Sequence, residues 1–587
     1  MKKVAIILVI LLAVLLVAVL IFTFYAKRSL DMLQQSLPAV TEQTDAPTEA
    51  ATEPPTEAPT QAPTEAVTEA PTEEPTEAPT EAPTEPAFVA YCTDNTNPAN
   101  WEMNWEVIVD GKIADSYTRE EEFFFGESDY FALPGISTFR GDNYRNDASY
   151  GTIDTSNPHI STLWNMNVGY VTSAEWGGCC WTGQPLVVQW DEETRQIMNL
   201  YESKKNKEGL VEVIYGKADG KIHFFDMEDG SPTRDPLYVG MEFKGSGAID
   251  PRGYPILYIG AGLTLHSMPQ RFYMISLIDG SILYERTGYE ELAPRYWFGF
   301  DGAPLIDSET DTMVWACESG ILYTMKLNTQ YDKAAGTLTM DPDEPVMGRY
   351  SDSYTKSGRN AGYESSVTAV ENYLYLGDNA GLLKCVDINA MDVVWTQDIV
   401  DDVNATPLFE WGEDGNGYLY VGPSMDYAGR YDVELPIYKL DARTGEIIWS
   451  YTVSCSTDST APGGVLASPV LGKEGSDLED LIIFSVGRTP NIYVGTMIAL
   501  NKNTGEVVWT YKTNSYMWSS PAVVYTEEGK GYIFQADASG MCYLFDGATG
   551  KVVDTVDLDC TVEASPVAFG DRIVIGARPR IYLIEIY

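Results

Sequence analysis

A short pattern recurs through the second half of this chain and constrains its fold more than any other feature. Two stretches of alternating apolar residues flank a Thr-Gly or Asp-Gly pair, and a large aromatic residue usually ends the pattern. The alternation predicts strands, and the glycine-containing pair predicts a tight turn, so each copy predicts a β-hairpin. The copies are residues 440–449 (LDARTGEIIW), 500–509 (LNKNTGEVVW), 545–554 (FDGATGKVVD), 386–395 (VDINAMDVVW) and 277–284 (LIDGSILY).

A second recurrence, upstream of each hairpin, sets the number of repeats. A small residue, usually followed by proline, opens a short apolar strand, and proline in the first position of a strand removes no ladder hydrogen bond. Eight such starts, roughly 40 to 63 residues apart, are typical of four-stranded propeller blades. The starts are Gln184-Pro185, Gly247-Ala248, Ala303-Pro304, Ser366-Val367, Thr406-Pro407, Ser468-Pro469, Ser520-Pro521 and Ser565-Pro566.

The last blade lacks one strand in the sequence that follows its start. Only three apolar stretches remain there, at residues 565–569, 572–576 and 580–586. Residues 160–168 (ISTLWNMNV) precede the first start, and we expect them to supply the missing strand and remove the open sheet edges. The sequence therefore predicts an all-β fold, an eight-bladed β-propeller over residues 159–587 that is closed by an N-terminal strand.

The repeats resemble the tryptophan-docking repeats of the PQQ-like (quinoprotein-type) β-propeller superfamily, whose pattern is A-x-D-x-x-T-G-x-x-x-W. The best copy has Ala499, Thr504, Gly505 and Trp509 in register, with Asn501 in the Asp position. The resemblance implies that the outer-strand aromatic residues dock one repeat on the next. These residues are Trp164, Tyr284, Trp395, Trp449 and Trp509.

The first 87 residues predict a membrane anchor and a stalk. Residues 4–26 form an apolar run of about 23 residues, long enough to cross a bilayer. A cleavable signal peptide would have a shorter apolar core and a small-x-small site, and neither is obvious. We therefore expect an uncleaved single-pass anchor (residues 1–28) in a bacterial cell membrane, with the propeller on the extracytoplasmic side.

Residues 29–87 are rich in Pro, Thr, Glu and Ala and have almost no large apolar side chain. Such a segment cannot form a core and stays extended, at about 3.1 Å per residue where proline dominates. It predicts a disordered stalk that lifts the propeller from the membrane, although a linker of no required length has the same composition.

Residues 88–158 lead from the stalk to the propeller. Residues 105–113 (WEVIVDGKI) predict a hairpin around their Asp-Gly pair. Residues 136–151 (ISTFRGDNYRNDASYG) resemble the Phe-Arg-Gly segment that often precedes the first strand in this superfamily. We expect structural roles for Arg140 and Arg145, which can bind backbone carbonyls or carboxylates there.

The net charge of the chain and the absence of known catalytic motifs argue against several classes of function. The formal net charge is −48, which argues against nucleic acid and anionic lipid as partners, because both need basic surfaces. The sequence contains no G-x-S-x-G, H-E-x-x-H, P-loop or dinucleotide-binding motif. We therefore assign no catalytic residue and no metal ligand.

The superfamily contains quinone-dependent dehydrogenases and also scaffold propellers that assist outer-membrane protein assembly, so the fold does not decide the function. The dehydrogenases carry a vicinal disulfide over their cofactor, so the resemblance makes Cys179 and Cys180 candidates for a PQQ site with Ca²⁺. The same pair lies where the first blade begins, and small residues near the channel also explain it.

The sequence favours a non-enzymatic binding or scaffold module for a protein or glycan partner, with a monomeric head. Aromatic residues dominate interface energies, so four tryptophans are candidate contacts, although packing between blades also explains each one. They are Trp176, Trp181, Trp297 and Trp518. The alternatives are a PQQ-dependent dehydrogenase and a structural cell-surface spacer.

Overall fold

The computed structural model describes residues 88–587, apart from 102–103, 123, 127–129, 170–182, 263–268, 352–353, 356–358, 428–430, 432 and 458–461. The predicted anchor (residues 1–28) and stalk (residues 29–87) lie outside the described residues, so both stay predictions. Among the described helices, none has the length and apolar character needed to span a membrane.

Eight sheets follow one another along the chain as the blades of a β-propeller, and their strands pair antiparallel except that Ser149–Tyr150 joins blade 8 in parallel. Each blade begins with a short inner strand just after one of the eight predicted starts, so the predicted number of blades is confirmed. The second and third strands are runs of apolar residues because they are covered on both faces, as in Leu481–Val486 (LIIFSV), which is buried throughout. Most outer strands have exposed and half-buried residues instead, as in Ile282–Thr287 and Lys551–Asp557.

The first four blades contain the following strands. Blade 1 has Gly135–Ile136, Leu186–Gln189, Val211–Gly216, Lys221–Asp226 and Leu237–Tyr238, and blade 2 has Ala248–Ile249, Ile256–Gly260, Arg271–Ser276 and Ile282–Thr287. Blade 3 has Leu305–Asp307, Thr312–Cys317, Ile321–Lys326, Val346–Tyr350, Trp105–Val109 and Lys112–Ala114, and blade 4 has Thr368–Val370, Tyr373–Gly377, Leu382–Asp387 and Asp392–Asp398.

The last four blades contain the following strands. Blade 5 has Leu408–Trp411, Gly417–Val421, Val433–Asp441 and Ile447–Cys455, and blade 6 has Val470–Leu471, Leu481–Val486, Thr496–Asn501 and Val507–Lys512. Blade 7 has Ala522–Tyr525, Gly531–Ala536, Met541–Asp546 and Lys551–Asp557, and blade 8 has Ser149–Tyr150, Val567–Phe569, Arg572–Gly576, Arg580–Ile586 and Ile160–Asn167.

An N-terminal strand closes the ring, as the sequence predicts. Ile160–Asn167 pairs antiparallel with Arg580–Ile586 and forms the outer strand of blade 8. Beyond this pairing, the His159 N–H donates to the Tyr587 carbonyl, and the Tyr587 N–H donates back to the His159 carbonyl. The closing strand therefore joins the two ends of the propeller by continuous backbone hydrogen bonds.

The lead-in packs on the propeller. Its predicted hairpin is confirmed, and the first strand of that hairpin, Trp105–Val109, extends blade 3 by pairing with Val346–Tyr350.

The remaining elements are short. They are the 3₁₀-helix Pro98–Asn100, the α-helices Glu192–Ile197 and Glu202–Lys205, and the strand pairs Gln330–Asp332 with Thr337–Thr339 and Tyr354–Thr355 with Arg359–Asn360.

Outer-strand indoles pack on the turn of the next blade. The Trp509 Nε1–H donates to the Gly547 carbonyl at 2.8 Å, and a Cβ added to Gly550 would lie 2.4 Å from the indole Cδ2. The same arrangement joins Trp164 to Met227 and Gly230, Trp395 to Ala442 and Gly445, and Trp449 to Lys502 and Gly505. Tyr284 packs partly buried against the hydrophobic core shared by blades 2 and 3.

Residues 136–151, here named the channel segment, run inside the ring and contact in every blade either the inner strand or the proline just before it. The contacts in blade order are Ile136 with Val187, the Ser137 carbonyl with the Ile249 N–H, the Thr138 hydroxyl with the Pro304 carbonyl, the Asn143 amide with the Ala369 carbonyl, the Tyr144 carbonyl with the Phe409 N–H, the Arg140 guanidinium with the Pro469 and Pro521 carbonyls, and the Ala148 carbonyl with the Ala568 N–H.

Two buried arginines hold this segment in place. Arg145 donates from Nε to the Val367 carbonyl at 2.8 Å and from Nη2 to the Ala303 carbonyl at 3.1 Å. Arg140 bridges blades 6 and 7 through the carbonyls named above. The predicted structural role of both arginines is therefore confirmed, and their partners are backbone carbonyls.

Candidate functional site

A row of hydrogen bonds joins the starts of blades 3 to 8 along the channel, where the inner strands begin. At five of the blade starts, the first residue of the start donates its backbone N–H to a hydroxyl group. That hydroxyl belongs to the Ser or Thr that is the first residue of the next blade's start. The pairs are Ala303 with Ser366, Ser366 with Thr406, Thr406 with Ser468, Ser468 with Ser520, and Ser520 with Ser565, at 2.9 to 3.1 Å. A small pocket with a cavity volume of about 30 Å³ lies beside these hydrogen bonds, and Phe139 of the channel segment lines it.

Two sets of loops meet on the side of the propeller where this pocket opens, here named the channel face. One set joins the second and third strands of each blade, and the other connects successive blades. Backbone hydrogen bonds tie the sets together, as from the Glu318 N–H to the Gly299 carbonyl and from the Ser424 N–H to the Asp402 carbonyl. Side chains from different blades therefore converge at the channel opening.

One lysine lies among three carboxylates at this opening. Lys244 Nζ forms an ion pair with Asp301 and lies 3.3 Å from Glu364 Oε2 and 3.6 Å from Glu318 Oε1. Burial opposes the charge of Lys244, but the three carboxylates raise its pKa well above the ordinary value. The pKa of Asp301 is also raised, first by burial and then by repulsion from Glu318. We name Asp301, Glu318, Glu364 and Asp402, with Lys244, the acidic mouth.

Asp402 completes the acidic mouth on the side of blade 5. It accepts hydrogen bonds from Asn379 Nδ2 at 2.9 Å and from Asn404 Nδ2 at 2.7 Å. Asn379 Nδ2 also donates to Glu364 Oε1 at 3.1 Å and so links the two carboxylates. Burial, followed by repulsion from Glu364 and from two neighbouring aspartates, raises the pKa of Asp402 well above its usual range.

Exposed aromatic side chains lie on the two sets of loops that form the channel face. Tyr296, Tyr431 and Tyr493 have relative exposures of 70%, 68% and 74%. We name the whole set the aromatic rim. It consists of Tyr289, Tyr296, Trp297, Tyr427, Tyr431 and Tyr493.

The tryptophans that the sequence suggests as partner contacts have different positions. Trp297 belongs to the aromatic rim, and the Arg295 guanidinium carbon lies 4.2 Å from its ring centroid. Trp518 also belongs to the channel face, but it is buried with Leu466 and Tyr516 and offers almost no surface to a partner. Trp176 and Trp181 lie outside the described residues, as do Cys179 and Cys180.

The acidic mouth does not fit the Ca²⁺ that accompanies PQQ. Calcium takes six to eight oxygen ligands, whereas three of the four carboxylates here converge on the ammonium group of Lys244. Within the described part of the chain, no three His, Cys, Asp or Glu side chains are arranged to hold a metal ion. We therefore derive no chemistry through a quinone.

The fold is that of the PQQ-like β-propeller superfamily, as the repeats predict. No protein-family model matches the chain. It is similar to the outer membrane protein assembly factor BamB of Shewanella oneidensis, with 20% identity over 317 residues, which cover 42% of this chain and 77% of that protein.

Among solved structures, the chain is similar to two quinohemoprotein alcohol dehydrogenases. The one from Comamonas testosteroni has 13% identity and a TM-score of 0.51, and the one from Pseudomonas putida HK5 has 11% identity and a TM-score of 0.54. Each match covers 77% of this chain and 80% of the other. At such identities the likeness shows the fold alone.

Proposed function

We propose that this chain is a non-enzymatic binding or scaffold module that holds a partner protein on its channel face. The observation that carries the proposal is the aromatic rim, in which Tyr296, Tyr431 and Tyr493 are each more than half exposed on loops of the channel face. Aromatic residues with exposed faces are the side chains that most often anchor protein interfaces. The role needs no cofactor.

The channel face is better suited to a partner than the other surfaces of the propeller. The channel segment contacts in every blade either the inner strand or the proline just before it, and so occupies the channel beyond the pocket. The outer edge of blade 3 is covered by Trp105–Val109 of the lead-in. By contrast, the channel face combines exposed aromatic residues with a charged pocket.

The comparison with BamB supports a protein partner over a glycan, because that relative is named as a protein assembly factor. We further propose that residues 1–28 anchor the chain in a bacterial cell membrane and that residues 29–87 extend the propeller on the extracytoplasmic side. The support for this placement is the apolar run followed by the Pro-, Thr- and Glu-rich stretch.

A photo-crosslinking amino acid placed in the full chain tests the proposed face. We expect discrete adducts with the same protein from positions Tyr296 and Tyr493 in the cells that make the chain. Tyr150 is the matched control, since it is a partly exposed tyrosine stacked on Phe569, at the turn between the first two strands of blade 8 on the opposite face. Adducts from Tyr150 alone would contradict the proposal, and the absence of adducts from all three positions would favour a structural spacer.

A further inference from the structure

We propose that the partner protein adds an extended strand to the outer edge of blade 5, antiparallel to Ile447–Cys455. This inference rests on the proposed function and specifies how the partner on the channel face is held. The occupant is a segment with apolar residues at alternate positions and no negative charge. Its backbone supplies most of the hydrogen bonds, as in strand addition to other sheet edges.

The outer strand of blade 5 is a long edge that is paired on one side. Ile447–Cys455 has nine residues (IIWSYTVSC) and pairs with Val433–Asp441. Among the described strands, no other strand pairs with it. Alternate N–H and C=O groups of an edge strand point away from its sheet, so they are a template for pairing with another chain.

This edge lacks the charged residues that protect most other edges. Native edge strands are commonly protected by charged side chains, and the outer strands of blades 2, 4, 6 and 7 each contain at least one. Those of blades 5 and 8 contain none. In blade 8, however, Asp554 Oδ2 accepts a hydrogen bond from the Ile160 N–H at 3.0 Å and places a carboxylate at the start of the strand. Blade 5 therefore has the least protected of these edges.

Blades 3 and 4 show what such edges accept. In blade 3, Val346–Tyr350 pairs antiparallel with the added strand Trp105–Val109 of the lead-in (WEVIV). In blade 4, the Thr396 N–H of the outer strand donates to the Thr96 carbonyl of the lead-in at 2.9 Å. The edge of blade 5 is the next one along the ring, so strand addition there would continue an interface that the chain already uses.

The side chains along the edge of blade 5 favour an apolar partner segment. Ile447 and Ile448 are 41% and 46% exposed, and Trp449 and Tyr451 are half-buried. Residues opposite each other on paired strands stabilise the sheet, and β-branched residues beside aromatic ones are a favourable combination. An added strand with valine or isoleucine at alternate positions would cover these residues.

A partner protein fits this edge better than a second copy of the chain. Each copy has a formal net charge of −48, so two copies repel each other. The edge also continues the channel face, because Tyr431 of the aromatic rim lies two residues before Val433, which pairs with Cys455 at the end of the edge. A partner held at the rim can therefore extend a segment along blade 5.

The test uses the full chain and a capped ten-residue peptide of alternating valine and threonine with a lysine at each end. The peptide is N-methylated at every second residue, which leaves one edge able to pair and prevents stacking of the peptide on itself. Hydrogen–deuterium exchange is followed by mass spectrometry at about 150 mM salt, where long-range attraction is screened. We expect the peptide to slow exchange in Ile447–Cys455. Slower exchange confined to another outer strand, or no change in any strand, would overturn the inference.

A pair of matched variants locates the binding. Thr452→Lys places a positive charge at an exposed position on the edge and should weaken binding of the fluorescein-labelled peptide about fivefold, because like charges on paired strands repel. Thr510→Lys makes the same change at an exposed position on the outer strand of blade 6 and should bind like the wild type. Fluorescence anisotropy measures both affinities.

Three results would overturn the inference. The first is equal weakening in the two variants, which would indicate general attraction to an acidic chain. The second is binding of a peptide that is N-methylated at every residue and so cannot pair. The third is a dimer of the wild-type chain, seen by sedimentation, that Thr452→Lys abolishes, because the occupant would then be a second copy.

The outcomes also separate this inference from the proposed function. If photo-adducts from Tyr296 and Tyr493 form while the peptide leaves exchange in Ile447–Cys455 unchanged, the partner uses the rim alone. The inference then fails and the proposed function stands. If no photo-adducts form, the proposed function fails, and with it the assignment of the added strand to a partner on the channel face.

Discussion

The hydroxyl oxygen of Ser520 accepts a hydrogen bond from the backbone N–H of Ser468 at 3.0 Å and so ties the start of blade 6 to the start of blade 7. Both residues are buried. The link recurs between neighbouring blades from blade 3 to blade 8, which gives a physical reason for the Ser or Thr at five of the eight blade starts.

Replacing Ser520 with alanine should destabilise the propeller by about 1–3 kcal/mol, because the buried Ser468 N–H loses its acceptor. Urea unfolding followed by tryptophan fluorescence measures this change. Ser450→Ala is the control, since Ser450 is exposed on an outer strand. Equal midpoints for the two variants would show that the Ser520 hydroxyl contributes nothing measurable to stability.

Gly550→Ala should be more destabilising than Gly415→Ala by about 1–3 kcal/mol, the usual range for overpacking. Both glycines have positive φ, +68° and +72°, so both variants carry a similar backbone penalty. Only at Gly550 does the new methyl group meet an indole, that of Trp509, at 2.4 Å, whereas nothing lies within 4 Å at Gly415. Thermal unfolding measures the difference, and near-ultraviolet circular dichroism should change only for Gly550→Ala. Equal losses would mean that the indole moves aside freely.

Asp142 should make the propeller less stable as the pH rises from about 4 to 7. Burial in the channel segment and repulsion from Asp147 raise the pKa of Asp142 to about 7, although the Asn146 N–H and Arg145 oppose the shift. The folded chain therefore binds more protons than the unfolded chain in this range, and stability falls until Asp142 is ionised in both states.

The variant Asp142→Asn should remove this effect, so its stability relative to the wild type should increase with pH between 4 and 7. Urea unfolding at several pH values provides the measurement, and Asp94→Asn, at an exposed position, controls for the loss of one charge. A constant difference between Asp142→Asn and the wild type across this range would contradict the assignment.

The full chain incubated with PQQ and Ca²⁺ should retain no quinone absorbance after desalting and should show no dye-linked alcohol oxidation. The physical reason is the acidic mouth, where the Lys244 ammonium group occupies the position on which Asp301, Glu318 and Glu364 converge. Retained quinone together with oxidation activity would instead favour the dehydrogenase alternative. A Cys179→Ser, Cys180→Ser double variant would then show whether that pair takes part.

Local sequence patterns were sufficient to predict the blades. Proline after a small residue marks where an inner strand begins, and alternation around Thr-Gly marks the outer hairpins. The closing strand was also predictable, because residues 160–168 are apolar and blade 8 lacked a strand. The hairpin Trp105–Val109 with Lys112–Ala114 was recognisable, but its place on blade 3 was not, because that pairing joins residues more than two hundred positions apart.

The candidate site was not predictable from the sequence. Lys244, Asp301, Glu318 and Glu364 come from different loops, and no local pattern distinguishes them from other charged loop residues. The channel segment illustrates the same difficulty. Its Phe-Arg-Gly motif signalled a structural role, but its contacts with eight successive blades depend on the closed ring.

The pairing of Ile160–Asn167 with Arg580–Ile586 has a consequence for how the chain is made. During synthesis the early strand emerges first and has no partner until more than four hundred further residues have been added. Throughout that interval it exposes Trp164 and unsatisfied backbone groups, which are a template for pairing with other chains. Shielding of the early strand until blade 8 is complete would prevent such pairing.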